Sequence, residues 1–399
     1  MKRKDEITGE ERMIRVCHLT STHKSRDQRI LIKECVSLKK AGYDVCLVAQ
    51  GTDSIYEEIT ITGTGEEKES SFYRLLIRPR KVYKIARRKK ADIYQIHDME
   101  LLPYAAKLKR AGFQVIFDCH EDFASRFSDS DVFHLPKWIM MVVGKAYVAY
   151  EKHVIKRLDA LISVTPHICD RLKKSNKNTV MITNYPIIEE GNPWTKVGKY
   201  HKDSDYICFA GQVSCIQYAL DVVVKAIQNI EGIYFNICGP ERRVGDLEYL
   251  RSTDNHKKIR YSGILPYYEL PEMISHSRMA IVTAAYSKDT DGHLGTLGNN
   301  KLFEAMLRGV PVIFTDFKLW RAINDKYNFG IPVKHGDLED MSKAIRFLLD
   351  NPEEAERMGK RGREAVFREF NWDTQEKQFI DLYKNIGKGN ISNERNTCL

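Results

Sequence analysis

No apolar run in this chain reaches the about 20 residues that a membrane-spanning helix needs, and no CxxC pair or Cys/His zinc spacing occurs. Any membrane role is therefore peripheral, and no metal site is expected. The first residues, MKRKDEITGEERM, carry charge without an apolar h-region, which argues against a secretory signal. The 9 cysteines are scattered, and Cys17, Cys46, Cys119, Cys208 and Cys238 fall inside or beside apolar runs that read as buried strands. That usage suits reduced core thiols in a cytosolic protein. No short-period repeat appears, only two similar β/α halves. No nucleic-acid motif accompanies the basic run from Arg74 to Lys90, so nucleic acid is not expected as a partner.

What is present is substantial. The 399 residues, 43% hydrophobic and 10% aromatic, suffice for two or three domains with real cores. Formal net charge is +9 and the pI about 8.9, a balance that favours anionic partners such as phosphorylated small molecules or an anionic membrane surface. The run 74–90 reads either as a solvated helix face or as a docking patch for lipid headgroups. Leu135 to Tyr150, with Trp138, reads as core or as an interfacial segment.

The apolar pattern alternates strand and helix from end to end. Met13–Thr20 reads as a first buried strand, 30–41 as a helix closed by Gly42, and Asp44–Ala49 as the next strand, the opening of a parallel, doubly wound sheet. A second series begins near Ile207. The expected fold is α/β, two Rossmann-like doubly wound domains facing across a cleft. The expected organisation is an N-terminal Rossmann-like domain over 13–190, a linker over 191–205, where Gly, Pro and charge replace the periodicity, and a C-terminal Rossmann-like domain over 206–370. A helix over 371–386 follows, placed to cross back to the first domain, and 387–399 is expected to be a loose tail.

The most informative stretch is GTLGNNKLFEAMLRGVPVIFTDF, residues 295–317. A strand leads through a polar loop into a helix that Asn299 or Asn300 can cap and that Gly309 and Pro311 stop. Such a helix aims its unpaired N–H groups and positive dipole end into the crevice at the strands' carboxyl ends, where open α/β sheets hold phosphate-bearing ligands. Lys301 adds a mobile positive charge, and Glu304, one turn on, suits two ribose hydroxyls. An ordinary crossover helix is the plain alternative.

Together with EEAERMGKRGREAV, FNWD, VCHLTSTHKSRDQRILIKECVSLKKAGYDVCLVA, ADIYQIHDMELLP and VIFDCHED, this stretch resembles the retaining GT-B glycosyltransferases of family 4, the group 1 type. The resemblance runs from about Met13 to Ile386. It implies a retaining, metal-independent enzyme with no cofactor, using a nucleotide diphosphate sugar as donor and a glycan or polyprenyl-linked acceptor of surface polysaccharide synthesis. On this reading Glu304 binds the donor ribose, and Asn299, Asn300 and Lys301 hold the diphosphate, with Gly295 and Thr296 just before them. Ser262 to Leu265, Ile264 included, contacts the base, and His120 lies beside the reacting sugar as the catalytic candidate. His97 and Asp98 close the preceding strand and rank as acceptor-side or structural. His23 and Lys24 stand in a first loop that lacks the glycines relatives carry there.

Two departures matter. Thr296 stands where the motif has its first acid. FAGQVSCIQYALD, with Gly211, has Gln212 and Gln217 where relatives carry an Arg or Lys on the diphosphate, leaving Arg242, Arg243 or Lys301 as substitutes. The location implied is cytoplasmic, with peripheral attachment to the inner membrane face as an option; oligomeric state is left open. Two alternatives stay beside the transferase: a nucleotide-sugar epimerase of the same fold, and a degenerate relative acting as a scaffold.

Overall fold

The computed structural model describes residues 2–4, 11–65, 70, 72–120, 137–188, 201 and 203–393. It divides into two compact units, one of residues 1–183 with 375–399 and one of residues 184–374.

Unit 1 opens with a small antiparallel pair, Lys2–Lys4 with Glu11–Met13, beside an eight-stranded sheet. Its strands are β1 (Arg15–Lys24), β2 (Asp44–Gln50), β3 (Ser54–Tyr56), β4 (Ile59–Gly63), β5 (Ile93–Ile96), β6 (Gln114–Cys119), β7 (Ala160–Ser163) and β8 (Thr179–Met181). Their order is β8-β7-β6-β5-β1-β2-β4-β3, all parallel except the β3–β4 hairpin. Every residue of β5 and β6 is buried, as expected of central parallel strands covered on both faces. A π-helix (Gln28–Cys35) runs into α1 (Val36–Lys40), where the sequence suggests one regular helix. Asp27 caps it, accepting from the backbone N–H groups of Arg29 and Ile30.

On one side of this sheet lie α2 (Arg78–Lys89), α3 (Leu102–Arg110) and α4 (Lys137–Ile155), with α3 touching both neighbours. In α2 only Val82 and Ala86 of the second and third turns are buried, while most of the basic residues stay outside. α5 (Pro166–Lys173) leads to β8.

Unit 2 holds β9 (Tyr206–Ala210), β10 (Tyr234–Cys238), β11 (Ile259–Tyr261), β12 (Ala280–Val282), β13 (Val312–Thr315) and β14 (Gly330–Val333). All are parallel, in the order β11-β10-β9-β12-β13-β14. The helices are α6 (Cys215–Tyr218), α7 (Leu220–Ile227), α8 (Asp246–Ser252), α9 (Leu270–Ser275), α10 (Asn300–Leu307), α11 (Lys318–Tyr327), α12 (Leu338–Asp350) and α13 (Pro352–Arg368). A last helix, α14 (Trp372–Asn393), begins in unit 2 and continues in unit 1.

The boundaries differ from the sequence reading in three places. Unit 2 starts at Asn184, not near residue 190, because the Tyr185 ring packs 4.6 Å from Phe303 and 5.5 Å from Phe370. The return to unit 1 comes at Gln375, whose side chain accepts from the Thr183 N–H at 2.9 Å. The helix runs on to Asn393 through residues expected to be a loose tail, since an established helix propagates cheaply. Residues 191–200 and 202 of the expected linker lie outside the described residues.

Two glycines fix the strand ends that matter most. Gly239, after β10, has φ +128°, and a Cβ there would lie 2.0 Å from the carbonyl oxygen of Gly211, after β9. Gly239→Ala is therefore expected to lower the unfolding free energy by at least about 1–3 kcal/mol, measured by urea denaturation. A stability equal to the parent's would mean the two loops are free to separate.

Candidate functional site

The carboxyl ends of the unit 2 strands gather most of the expected donor residues. Asn299 caps α10, its Oδ1 accepting from the Lys301 N–H at 3.0 Å, and Leu302, Phe303, Met306 and Leu307 bury the opposite face. The Lys301 ammonium then lies 4.1 Å from the centre of the Tyr218 ring and 5.2 Å from that of Phe209. Its Cε passes 2.4 Å from where a Cβ of residue 211 would stand, so the glycine lets the lysine lie close against the strand end in this position. Among the described residues these partners are aromatic, not acidic, and the charge stays available to an anion.

A cavity of about 110 Å³ opens here between β9, β12, α9 and α10, lined by Lys301, Glu304, Asn300, Ala210, Leu270 and Ile274. Asn300 Oδ1 is buried on this wall with no hydrogen-bond partner among the described residues. Glu304 Oε2 is held at 3.0 Å by Nη2 of Arg308, whose side chain is almost wholly buried. One turn of helix thus presents a cation and an oriented carboxylate to the same space.

The loop before α10 is pinned. Gly295, at φ +89°, would drive a Cβ to 2.5 Å from the Phe317 side chain. Thr296 lends its carbonyl to the Trp320 indole at 2.7 Å and its hydroxyl to the Gly298 N–H at 3.0 Å, local duties in place of the motif's first acid. Gln212 is exposed. Gln217 serves through its backbone, its carbonyl accepting from the Ala285 N–H at 2.8 Å, which stitches α6 to the segment after β12 and sets Tyr218 over Lys301. Ser262 hydrogen-bonds Asn236 at 2.9 Å, Gly263 accepts from the Gly239 N–H, and Ile264 projects into solvent.

Unit 1 builds its own cluster at the ends of β1, β5 and β6. Asp118, in the buried strand β6, receives two bonds from Arg29, Nε at 2.8 Å and Nη2 at 2.9 Å, and a third Arg29 donor reaches the Ile182 carbonyl at 3.1 Å. Burial alone would raise the Asp118 pKa, but the Arg29 charge and the His97 hydrogen bond outweigh it and hold the carboxyl well below its ordinary value. Glu34, 3.1 Å from Arg29 and joined to Gln95 at 2.6 Å, shifts the other way, because burial and the neighbouring Asp118 outweigh Arg29.

His97 bridges this pair to the centre of the unit. Its Nδ1 lies 3.1 Å from Asp118 Oδ2 and its Nε2 3.1 Å from His18 Nδ1. The His18 Nε2 is 3.4 Å from the Tyr383 hydroxyl of α14, which donates to Gln95. His97 is wholly buried, so its place is behind the site. His120 is the outermost member, its Nδ1 3.8 Å from Asp118 Oδ2 and its ring 5.1 Å from that of His23. Asp98 organises the first loop, accepting from the Ser21 N–H and the Thr22 hydroxyl, with His23 Nε2 at 3.7 Å. Lys24 is exposed at the end of β1, apart from these contacts. His97, Asp118 and His120 bring ligand atoms within 4.8 Å of one another, yet Asp118 Oδ1 and Oδ2 already serve Arg29 and His97.

Residues 29–184 match the family described as Glycosyltransferase Family 4, and residues 221–381 the family described as Glycosyl transferase-like. The chain belongs to the GT-B glycosyltransferases of the group 1 type. Alpha-D-kanosaminyltransferase of Streptomyces kanamyceticus is 21% identical over 189 residues, 46% of this chain and about half (47%) of that protein. The two-unit GT-B architecture recurs in the sucrose-phosphate synthase of Thermosynechococcus elongatus, with a TM-score of 0.72 at 16% identity over 94% of this chain and 100% of that one. It recurs in Anabaena HepE, solved with UDP and glucose, with a TM-score of 0.65 at 12% identity over 93% and 100%.

Within this GT-B chain, sequence reasoning missed Arg308, Tyr218, Arg29 and Asp118. The first carries a readable signal, a basic residue four positions after Glu304. The others meet only through the sheet. Asp118→Asn removes one of the two carboxylates on the buried Arg29, leaving Glu34 at 3.1 Å, and is expected to lower stability by about 1.5–3 kcal/mol, the cost of a lost charge-assisted bond, measured by urea denaturation.

Burial and the nearby His97 push the His18 pKa well below its ordinary value of 6.5, so the native state binds fewer protons than the unfolded one. Its contribution is present above that pH and is lost as pH falls, with a limiting slope of about 1.4 kcal/mol per pH unit. His18→Gln is expected to flatten the stability curve between neutral pH and the acid limb, and an unaltered slope would assign it to other groups.

Proposed function

We propose that the protein transfers a sugar from a UDP- or GDP-sugar to a glycan or lipid-linked acceptor, with retention at the anomeric carbon and without a metal. The proposed setting is surface polysaccharide synthesis at the cytoplasmic face of a membrane. The observation that carries this reading is the pairing on α10 of the Lys301 ammonium, set among aromatic rings, with Glu304 held by Arg308, both lining one cavity. In this reading the diphosphate lies against the first turn of α10, where Lys301, the helix dipole and the free backbone N–H groups meet the charge that builds as the sugar departs. Glu304 takes the ribose hydroxyls, and the turn from Ser262 to Ile264 takes the base.

The loop after β9 supplies no cation, and the chain has a substitute close by. The Arg242 N–H donates to the Val213 carbonyl at 3.0 Å, which places Arg242 and Arg243 beside that loop. Retention without an enzyme nucleophile fits a front-face displacement in which the leaving phosphate receives the acceptor's proton. His120, backed by Asp118, then orients a hydroxyl of the donor sugar. HepE, which holds UDP and glucose in its crystal, supports a nucleotide-sugar donor for the shared fold.

Calorimetry with UDP and GDP, followed by turnover with a panel of their sugars, tests the assignment. Lys301→Met is expected to weaken nucleotide diphosphate binding by about 10-fold to 100-fold, the range of a lost charge-assisted bond. Glu304→Ala should weaken it as well, while His120→Asn should lower turnover and leave nucleotide affinity in place. A parent protein that binds neither nucleotide would remove the transferase reading.

A further inference from the structure

The helical layer of unit 1 carries a surface that the transfer reaction does not use. Along α4 the outward residues change character: Trp138, Met141, Val142 and Val143 are exposed in its first half, with Trp138 66% exposed, while Lys152 is exposed in its second half and Lys156 and Arg157 in the turn that follows it. A groove of about 630 Å³ runs between α3 and α4, with Pro103, Ala106, Val154 and Leu158 among its apolar lining. Its rim is basic, formed by Lys107, Lys109 and Arg110 of α3 and by His153 and Arg157 with Tyr150 nearby. Lys109 is paired with Asp159 at 2.6 Å. Among the described residues, Lys107 instead lies against the Tyr83 and Tyr104 rings, Arg110 donates to the Ala106 carbonyl, and Arg157 meets His153, so no acid answers these three charges. On the far side of α3, the outward face of α2 adds Arg80, Lys84, Arg87 and Arg88.

Large apolar side chains standing in solvent next to unanswered cations make an unfavourable surface in water and a favourable one at a charged bilayer, where the former enter the headgroup boundary and the latter meet lipid phosphates. We propose that the α3–α4 face is a docking surface for an anionic lipid bilayer, with the basic groove seating a phospholipid headgroup and Trp138, Met141 and Val142 entering the interface. The occupant is a bilayer and not a nucleic acid because the exposed residues of the first half of α4 are aliphatic and indole in character, a poor match to a sugar-phosphate backbone. This deepens the reading of a lipid-linked acceptor and rests on it for its purpose, since such an acceptor is reached only at a membrane. The binding itself is independent of turnover.

The test is sedimentation of the full chain with vesicles of phosphatidylcholine alone and with added phosphatidylglycerol. Binding is expected to the anionic vesicles, weakening as salt is raised. The triple variant Lys107→Gln, Arg110→Gln, Arg157→Gln is expected to lose roughly a hundredfold in partition, about fivefold per charge. The triple variant Trp138→Ser, Met141→Ser, Val142→Ser should weaken partition while its circular dichroism spectrum and its UDP affinity stay those of the parent. Equal partition to both vesicle types, variants that bind like the parent, displacement of the vesicles by a duplex oligonucleotide, or a self-dimer that shields Trp138 would each overturn the proposal. Vesicle binding without any nucleotide binding would keep this surface and sink the transferase reading.

Discussion

A carboxylate inside a sheet that helices cover on both sides has to find its counter-charge within the protein, and in unit 1 that charge is Arg29. Breaking such a pair is far more damaging than never having had it, so the geometry around Asp118 has little freedom. Arg29 comes from the π-helical turn that Asp27 caps, and the wider turn buries Arg29, Lys33 and Glu34 together beneath the sheet's carboxyl edge. With both Asp118 oxygens engaged, His97 has one orientation available, its Nδ1 toward Asp118 and its Nε2 toward His18. His120, beyond them, is the member of the set that remains near the surface.

Unit 2 solves the complementary problem. There a cation is kept in reserve: Lys301 is steadied by two aromatic rings, which stabilise a charge without neutralising it. The neighbouring carboxylate is treated oppositely, since Arg308 fixes Glu304 from within the same helix. The contact between Gly211 and Lys301, and that between Gly239 and Gly211, let three loops crowd onto the helix terminus. The strength of a terminus as an anion site depends on how closely a ligand can approach its N–H groups.

Much of this was legible in the residues. The two doubly wound halves, the α10 cap at Asn299 and the placing of Lys301 and Glu304 on one turn follow from periodicity and capping chemistry, which act within a few positions. The departures at Gln212, Gln217 and Thr296 were also visible, but their structural use was not. Gln217 acts through its backbone and Thr296 through a carbonyl, and a side-chain reading says nothing about either. Arg29 and Asp118 stand 89 residues apart and meet only because β1, β5 and β6 lie adjacent in the sheet. The β3–β4 hairpin and β14 were missed as well, being short strands that a sheet edge recruits where local pattern is weak.

The helix that starts at Trp372 delivers Tyr383 to the middle of unit 1, against His18 and Gln95, and Gln114 bonds the Ile386 carbonyl at 2.7 Å. A chain leaving the ribosome therefore has all of unit 2 in hand before it has the piece that closes unit 1. Residues 1–183 must wait for their central polar contacts until residues 375–393, made after the whole of unit 2, arrive to supply them.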